Sequence, residues 1–226
     1  MRIGIDASRA FGEQRTGTEE YSYQIIKHLL ALPQAREHEW ILYVKSQIPS
    51  ASWRTKSQIN SNVQMIQIPM KYLWTQVGLA ARTWVDKLDV LWIPAHTLPV
   101  VRRAGLRTVV TIHGLEYEWL PEYSNWLQAW YLPLSTQYAV KSAQRIIAVS
   151  EFTKRQLINR LKADPIKISV IHEGVINTSP SNPSPKEITP SGSGEGRKGG
   201  VLKKFGLISR EYLLFIGTIQ PRKNLQ

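Results

Sequence analysis

The chain opens on Arg2-Ile-Gly-Ile-Asp6, an alternating stretch that predicts a strand, and then enters a polar loop that runs to Gly17-Thr18. Tyr21, Ile25, Leu29 and Leu32 recur at i, i+4, i+8 and i+11. That spacing predicts a helix from about Thr18 with this set as its apolar face. Pro33 stops it, Thr18 is placed to cap it, and Glu19 and Glu20 suit its positive end. Trp40 to Val44 and Val63 to Ile68 predict two more strands, separated by a polar, aperiodic stretch over 46–62. From Tyr72 to Leu88, the residues Trp74, Val77, Ala81, Trp84 and Leu88 fall three and four apart and predict one helix. Further strands are predicted at Val90 to Ile93, Arg107 to Ile112, Ile146 to Val149 and Ile168 to Ile171. Ser150 is placed to cap a helix over 151–161.

Strands alternating with helices imply an α/β fold built on a parallel, doubly wound sheet. Such a sheet brings all strand C-termini to one edge, where ligands bind. The polar residues just past these strands are Asp6, Ser8, His96, His113, Ser150, His172 and Glu173. Three of the five histidines are among them. A lone histidine is more often a hydrogen-bonded structural group, but several on one edge point to a site. His113 follows a strand apolar enough for an interior position, so it is the first choice for a catalytic role.

The alternation ends at Asn177. Residues 177–200 hold Pro180, Pro183, Pro185 and Pro190, then Gly192, Gly194, Gly196, Gly199 and Gly200, with Ile188 the only large apolar side chain. This composition reads as a flexible linker, longer than the ~12–15 residues of an ordinary loop. The expected organisation is a domain over 1–176, a linker over 177–200, and the start of a second domain over 201–226.

Composition narrows the partners. Hydrophobic content of 42% suits a globular domain with a core. The absence of cysteine removes disulfides and thiolate metal sites and fits a reducing compartment. No apolar run approaches the ~18 residues of a membrane span, and the N-terminus lacks the pattern of a signal peptide. The net charge of +12 suggests an anionic partner: a lipid surface, nucleic acid or a phosphorylated substrate. No nucleic-acid motif and no G-x-G-x-x-G fingerprint is present, so neither nucleic acid nor a dehydrogenase cofactor is expected.

Near the C-terminus, Leu213 to Ile216 predicts a buried strand, Gly217 a turn, and Arg222 and Lys223 two cations beside a helix start at Asn224. The arrangement suits a phosphate, although by pattern alone a solvated basic turn is the commoner case. Phe215-Ile-Gly-Thr-Ile-Gln-Pro-Arg-Lys-Asn-Leu225 resembles the donor-phosphate motif of family 4 glycosyltransferases, which are retaining, nucleotide-sugar-dependent enzymes of the two-domain GT-B architecture. Other stretches resemble the same family: Met1 to Leu30, Asp89-Val-Leu-Trp-Ile-Pro-Ala-His-Thr-Leu-Pro99, Thr108-Val-Val-Thr-Ile-His-Gly114, Ala148-Val-Ser-Glu-Phe-Thr153 and Val170-Ile-His-Glu-Gly-Val175. Thr218 stands where many members have arginine, and Gly114 where aspartate often follows the histidine.

The resemblance implies a Rossmann-like acceptor-side domain followed by the first strand and phosphate motif of a donor-binding domain. It places Lys223, with Arg222 and Gly217, on the donor diphosphate, His113 near the transferred sugar, and Gly17 in a loop facing the cleft. With His96, Ser150 and Glu173 from the strand ends, these are the expected site residues. No metal ligand and no cofactor are expected beyond the nucleotide sugar as co-substrate. The expected acceptor is a lipid or saccharide, in cell-surface glycan synthesis, with the protein cytoplasmic and peripheral at the inner face of the plasma membrane. Residues 1–226 by themselves are expected to transfer no sugar, a second chain supplying the donor domain being one way to complete them. Two other readings stay open: a non-catalytic acceptor-binding module, and a basic domain that binds nucleic acid.

Overall fold

The computed structural model of the chain describes residues 1–11, 15, 17–45, 62–70, 72–115 and 126–174, and for 126–130 the backbone alone. The chain divides into units Met1–Glu173 and Gly174–Gln226, and all that follows concerns the first. Gly217, Arg222 and Lys223 lie outside the described residues, as does the expected linker.

Seven strands form the sheet: β1 (Arg2–Asp6), β2 (Glu39–Val44), β3 (Val63–Gln67), β4 (Val90–Ile93), β5 (Arg107–Ile112), β6 (Arg145–Ala148) and β7 (Ile168–Val170). Their order is β3-β2-β1-β4-β5-β6-β7, and every neighbouring pair is parallel. The helices are α1 (Gly17–Ala31), a π-helical stretch Trp74–Leu79 running into α2 (Ala80–Val85), α3 (Trp126–Ser142) and α4 (Glu151–Leu161). This is a Rossmann-like, doubly wound α/β sheet, as the alternation of elements predicts. Winding proceeds from β1 out to β3, returns to the other side of β1 at β4, and continues to β7. The switch point therefore lies between β1 and β4.

Both sheet faces are buried, which is why the strands read as nearly continuous apolar runs. In β2, Trp40, Leu42 and Val44 pack with Ile5, Ile26 and Leu30 beneath α1. Ile41 and Tyr43 point the other way, to Leu79, Leu91, Ile93, Val140 and Leu157. Each such side chain removed from water contributes about 1.5–3 kcal/mol.

Three helices depart from expectation. The buried line of α1 is Ser22, Ile26 and Leu30, not the line of Tyr21 and Ile25, and Leu32 is half exposed. Tyr21 and Ile25 lie on the flank. Thr18 is inside the first turn, where its carbonyl accepts from the Ser22 hydroxyl at 2.8 Å. In the second helix a π turn bonds i to i+5 and shifts the phase of everything after it. Val77 and Trp84, expected inside, are 48% and 54% exposed, while Gly78, Leu79, Ala80 and Thr83 are buried. Gly78 permits this, since a Cβ there would stand 2.6 Å from Ile68 Cγ2. The third, α3, carries apolar residues with no stripe and has Pro133 inside it. Nothing in its pattern announced a helix.

Two polar constructions fix the frame. Tyr43, fully buried, donates from its hydroxyl to Asp86 Oδ2 at 2.7 Å. Arg82 grips the same carboxylate with two bonds, at 2.8 and 2.6 Å. Burial first, and the adjacent Asp86 carboxylate second, push the Tyr43 phenol far above its usual range. The second is the start of α4, where Ser150 Oγ accepts from Thr153 N at 3.0 Å. Ser150 is thereby held as the helix cap, as its place in the sequence predicts.

Asp86→Ala leaves a buried phenol and a guanidinium without their acceptor. It should lower stability by about 3 kcal/mol and the melting temperature by about 6–12 °C. Tyr43→Phe keeps the Arg82–Asp86 pair and should cost less. Equal melting temperatures for Asp86→Ala and wild type would refute this account. Ser150→Ala removes a single cap bond and should cost about 1 kcal/mol, or about 2–4 °C by thermal denaturation.

Candidate functional site

The C-terminal ends of β1, β4, β5 and β7 bring their polar residues to one edge, beside the switch point. Past β1, Asp6 is 7% exposed, and its Oδ1 accepts from Ser8 N at 3.0 Å in a tight local turn. Burial raises its affinity for a proton, while the Ser8 bonds, Arg9 and Lys45 oppose that rise. Arg9 lies 3.7 Å from Glu19 of α1, which links the β1 loop to the first helical turn. Gly17 opens α1, is exposed, and has nothing within 4 Å of a notional Cβ. It leaves open space, and no side chain of the site touches it.

Past β4 comes Pro94-Ala-His96. His96 is held far below the usual imidazole range, at about 4, first by burial and then by the charges of Arg9 and His113. It is therefore neutral at neutral pH. Its Nδ1 is buried, with no hydrogen-bond partner among the described residues.

Past β5, His113 is almost enclosed, its side chain 12% exposed. Nδ1 lies 3.0 Å from Glu173 Oε1, and Nε2 lies 3.3 Å from the Pro94 carbonyl oxygen. The Tyr21 ring meets the imidazole edge to face at 4.7 Å between centroids. Tyr21 is itself largely buried, and burial raises its phenol above the usual value. The His113 carbonyl accepts from Thr153 Oγ1 at 3.2 Å, which ties the end of β5 to the first turn of α4. The ring is thus met by Tyr21 of α1, by Pro94 past β4 and by Glu173 past β7, while α4 bonds the backbone of the same residue.

Of the expected cleft residues, the structure joins His113 directly to Glu173. His96 is close enough to feel the charge of His113. Ser150 caps α4 as predicted, Gly17 opens α1, and His172 is exposed. Tyr21 and Pro94 were missed by the reading of the sequence. Tyr21 was assigned to the apolar face of α1, and a carbonyl oxygen has no signature in a sequence.

Among the described residues no group of three His, Asp or Glu could hold a metal ion. A pocket lined by Arg2, Glu39, Trp40, Asn62 and Gln64 sits at the opposite edge, at the N-terminal ends of β1, β2 and β3. Its charges are already paired, Arg2 Nε donating to Glu39 at 2.8 Å. His96, His113 and Glu173 lie at the other edge.

The sequence profile described as Glycosyltransferase Family 4 matches residues 16–177. Over 120 residues, 53% of this chain and 29% of the relative, the chain is 31% identical to O-antigen chain mannosyltransferase B of Escherichia coli. Among solved structures it is similar to Anabaena HepE in complex with UDP and glucose. The identity is 16% and the TM-score 0.50, over 77% of this chain and 45% of that one. The complex of HepE with UDP-glucose gives a TM-score of 0.50 over 44% of its length. The chain thus spans less than half the length of these relatives, and the likeness to HepE is one of fold. With the profile matched across well over half of its residues, the chain belongs to glycosyltransferase family 4.

Proposed function

We propose that the chain is the acceptor-side half of a retaining glycosyltransferase that moves a sugar from a nucleotide-sugar donor to a lipid or saccharide acceptor in cell-surface glycan synthesis. The observation that carries this reading is His113, an enclosed imidazole at the C-terminal end of an interior strand, backed by a carboxylate and next to the switch point. In doubly wound sheets that is where substrates lie. The relatives, a mannosyltransferase and a protein holding UDP and glucose, support the same class of substrate.

In such a reaction the bond from the anomeric carbon to the diphosphate breaks, the acceptor oxygen bonds that carbon, and the acceptor hydroxyl loses its proton. Histidine can take or give a proton near neutral pH, or hydrogen-bond a sugar hydroxyl. Lys223, with Arg222 and Gly217, would meet the charge that develops on the departing diphosphate. The nucleotide sugar is the co-substrate, and no further cofactor is required by this scheme.

A second surface bears on the acceptor. Leu73, Val77, Trp84, Val85, Val100 and Val101 are all exposed by about half or more. They belong to one stitched surface: Gln76 donates to Leu98 O at 3.2 Å and accepts from Val100 N at 2.9 Å, and Arg103 N donates to Thr83 Oγ1 at 3.1 Å. Trp74 is not among them: it is buried and donates to Ile68 O at 3.1 Å. Arg102, Arg103 and Arg107 lie on the same segments, and with a net charge of +12 they suit an anionic bilayer, while Arg82 is taken up by Asp86. No described helix is long and apolar enough to cross a membrane. The proposed attachment is therefore peripheral and salt-sensitive, at the face where a lipid-borne acceptor would arrive.

In the chain continued through a donor-binding half, His113→Ala should cut turnover about 10²-fold or more, with little change in melting temperature. Lost stability with proportionate activity in the folded fraction would make His113 structural. In vesicle sedimentation, anionic vesicles should retain the protein at low salt and release it at high salt, and Trp84→Ala should weaken retention. Equal recovery with neutral and anionic vesicles at low salt would remove the membrane reading.

A further inference from the structure

His113 faces an acceptor at each ring nitrogen. Glu173 Oε1 lies 3.0 Å from Nδ1, and the Pro94 carbonyl lies 3.3 Å from Nε2. Neither oxygen has a hydrogen to give, since Pro94 offers a carbonyl and Glu173 a half-exposed carboxylate. A neutral imidazole has one N–H, so only one of the two contacts can be a hydrogen bond at a time. The two oxygens therefore compete for the ring proton, and the winner decides which nitrogen keeps a lone pair.

We infer that Glu173 is the positioning residue of this site: its carboxylate keeps the His113 proton on Nδ1 and so makes Nε2 the working nitrogen. The charged acceptor at the shorter distance wins over the neutral one. With the proton on Nδ1, the Nε2 lone pair is left facing Pro94 O, a contact with no attraction, so a substrate hydroxyl that reaches Nε2 finds an acceptor there with no hydrogen bond to displace. If Nε2 then takes that hydroxyl's proton, the cation has a partner on both sides: Glu173 at Nδ1 and Pro94 O at Nε2. The substrate oxygen keeps the bonding pair, and nothing is oxidised or reduced. Without Glu173, the remaining acceptor is Pro94 O. It would draw the proton to Nε2 and turn the ring into the wrong tautomer.

Among the described residues the surroundings are consistent with control by Glu173. Tyr21 reaches the ring from α1 with a largely buried phenol, and its ring meets the imidazole edge to face. His96, past β4, is held neutral near neutral pH by burial and by Arg9. From α4, Thr153 bonds the His113 carbonyl. None of these is bonded to a ring nitrogen of His113.

The role given to Nε2 rests on the proposed transfer reaction, but the tautomer can be read without it. Long-range 1H–15N spectra of the chain, with the His113 ring assigned by its loss in His113→Gln, report which nitrogen carries the proton. They are to be recorded at about pH 8.5, roughly two units above the ordinary imidazole value of about 6.5. Wild type should show protonated Nδ1. Glu173→Ala should move the proton to Nε2, and Glu173→Gln should keep it on Nδ1, because the amide oxygen accepts from the same nitrogen. In the enzyme completed with a donor half, Glu173→Ala should lower kcat about tenfold or more with the donor KM little changed, and Glu173→Gln should retain most of it. A proton that stays on Nδ1 in Glu173→Ala, or that sits on Nε2 in wild type, overturns the inference even if sugar transfer is robust. A tautomer that switches in a protein that transfers no sugar upholds it and overturns the transferase reading instead.

Discussion

Parallel pairing is the constraint on which the molecule depends. Every neighbouring pair among the seven strands is parallel, so no two neighbours can be joined by a tight turn. Each connection must travel back across a face of the sheet, and the helices that do so bury both faces. The same geometry sends every strand C-terminus to one edge. Residues far apart in the chain, Asp6, His96, His113 and Glu173, become neighbours there as a consequence of topology. His113 and Glu173 are sixty residues apart and touch because β5, β6 and β7 are paired side by side in register.

The two edges of the sheet use charge differently. At the N-terminal edge Arg2 bonds Glu39, and its backbone N–H bonds Asp89 at 2.7 Å, which helps to hold that carboxylate below its usual range. Those pairs are exposed and tie strand beginnings together, a modest contribution each. At the C-terminal edge charge is enclosed. His96 is driven neutral by burial, Asp6 is pushed toward its protonated form by the same cause, and His113 sits between a carboxylate and a carbonyl. Groups in such unlike environments respond differently to one proton, which is the property acid–base chemistry needs. One edge thus secures the frame while the other holds reactive groups out of bulk water.

The strands were legible because their side chains face two cores and follow the simplest of rules. All seven lie where runs of apolar residues put them, to within a residue or two. Helix faces were less legible. On α1 two adjacent lines are both apolar, and the buried one, Ser22 to Leu30, includes a serine that bonds its own helix backbone. After Trp74 a π turn changes the period, so a count in threes and fours points Val77 and Trp84 the wrong way. Helix α3 has no period to find. For the site, the edge and its histidines could be read from the order of elements. The Ser150 cap was legible from its place before the helix, whereas the pairing of His113 with Glu173 and the buried orphan nitrogen of His96 were not. These depend on which strands are adjacent and on where carbonyls point.

The central claim is that sugar transfer happens at the C-terminal edge, at His113. The most direct measurement is a crystal structure of the chain continued through its donor half, with a nucleotide sugar and an acceptor analogue bound. The account predicts a hydroxyl of donor or acceptor within about 3 Å of His113 Nε2, with Glu173 still at Nδ1. A sugar seated at the opposite edge beside Arg2 and Trp40, or one with no polar atom in reach of the His113 ring, would contradict it.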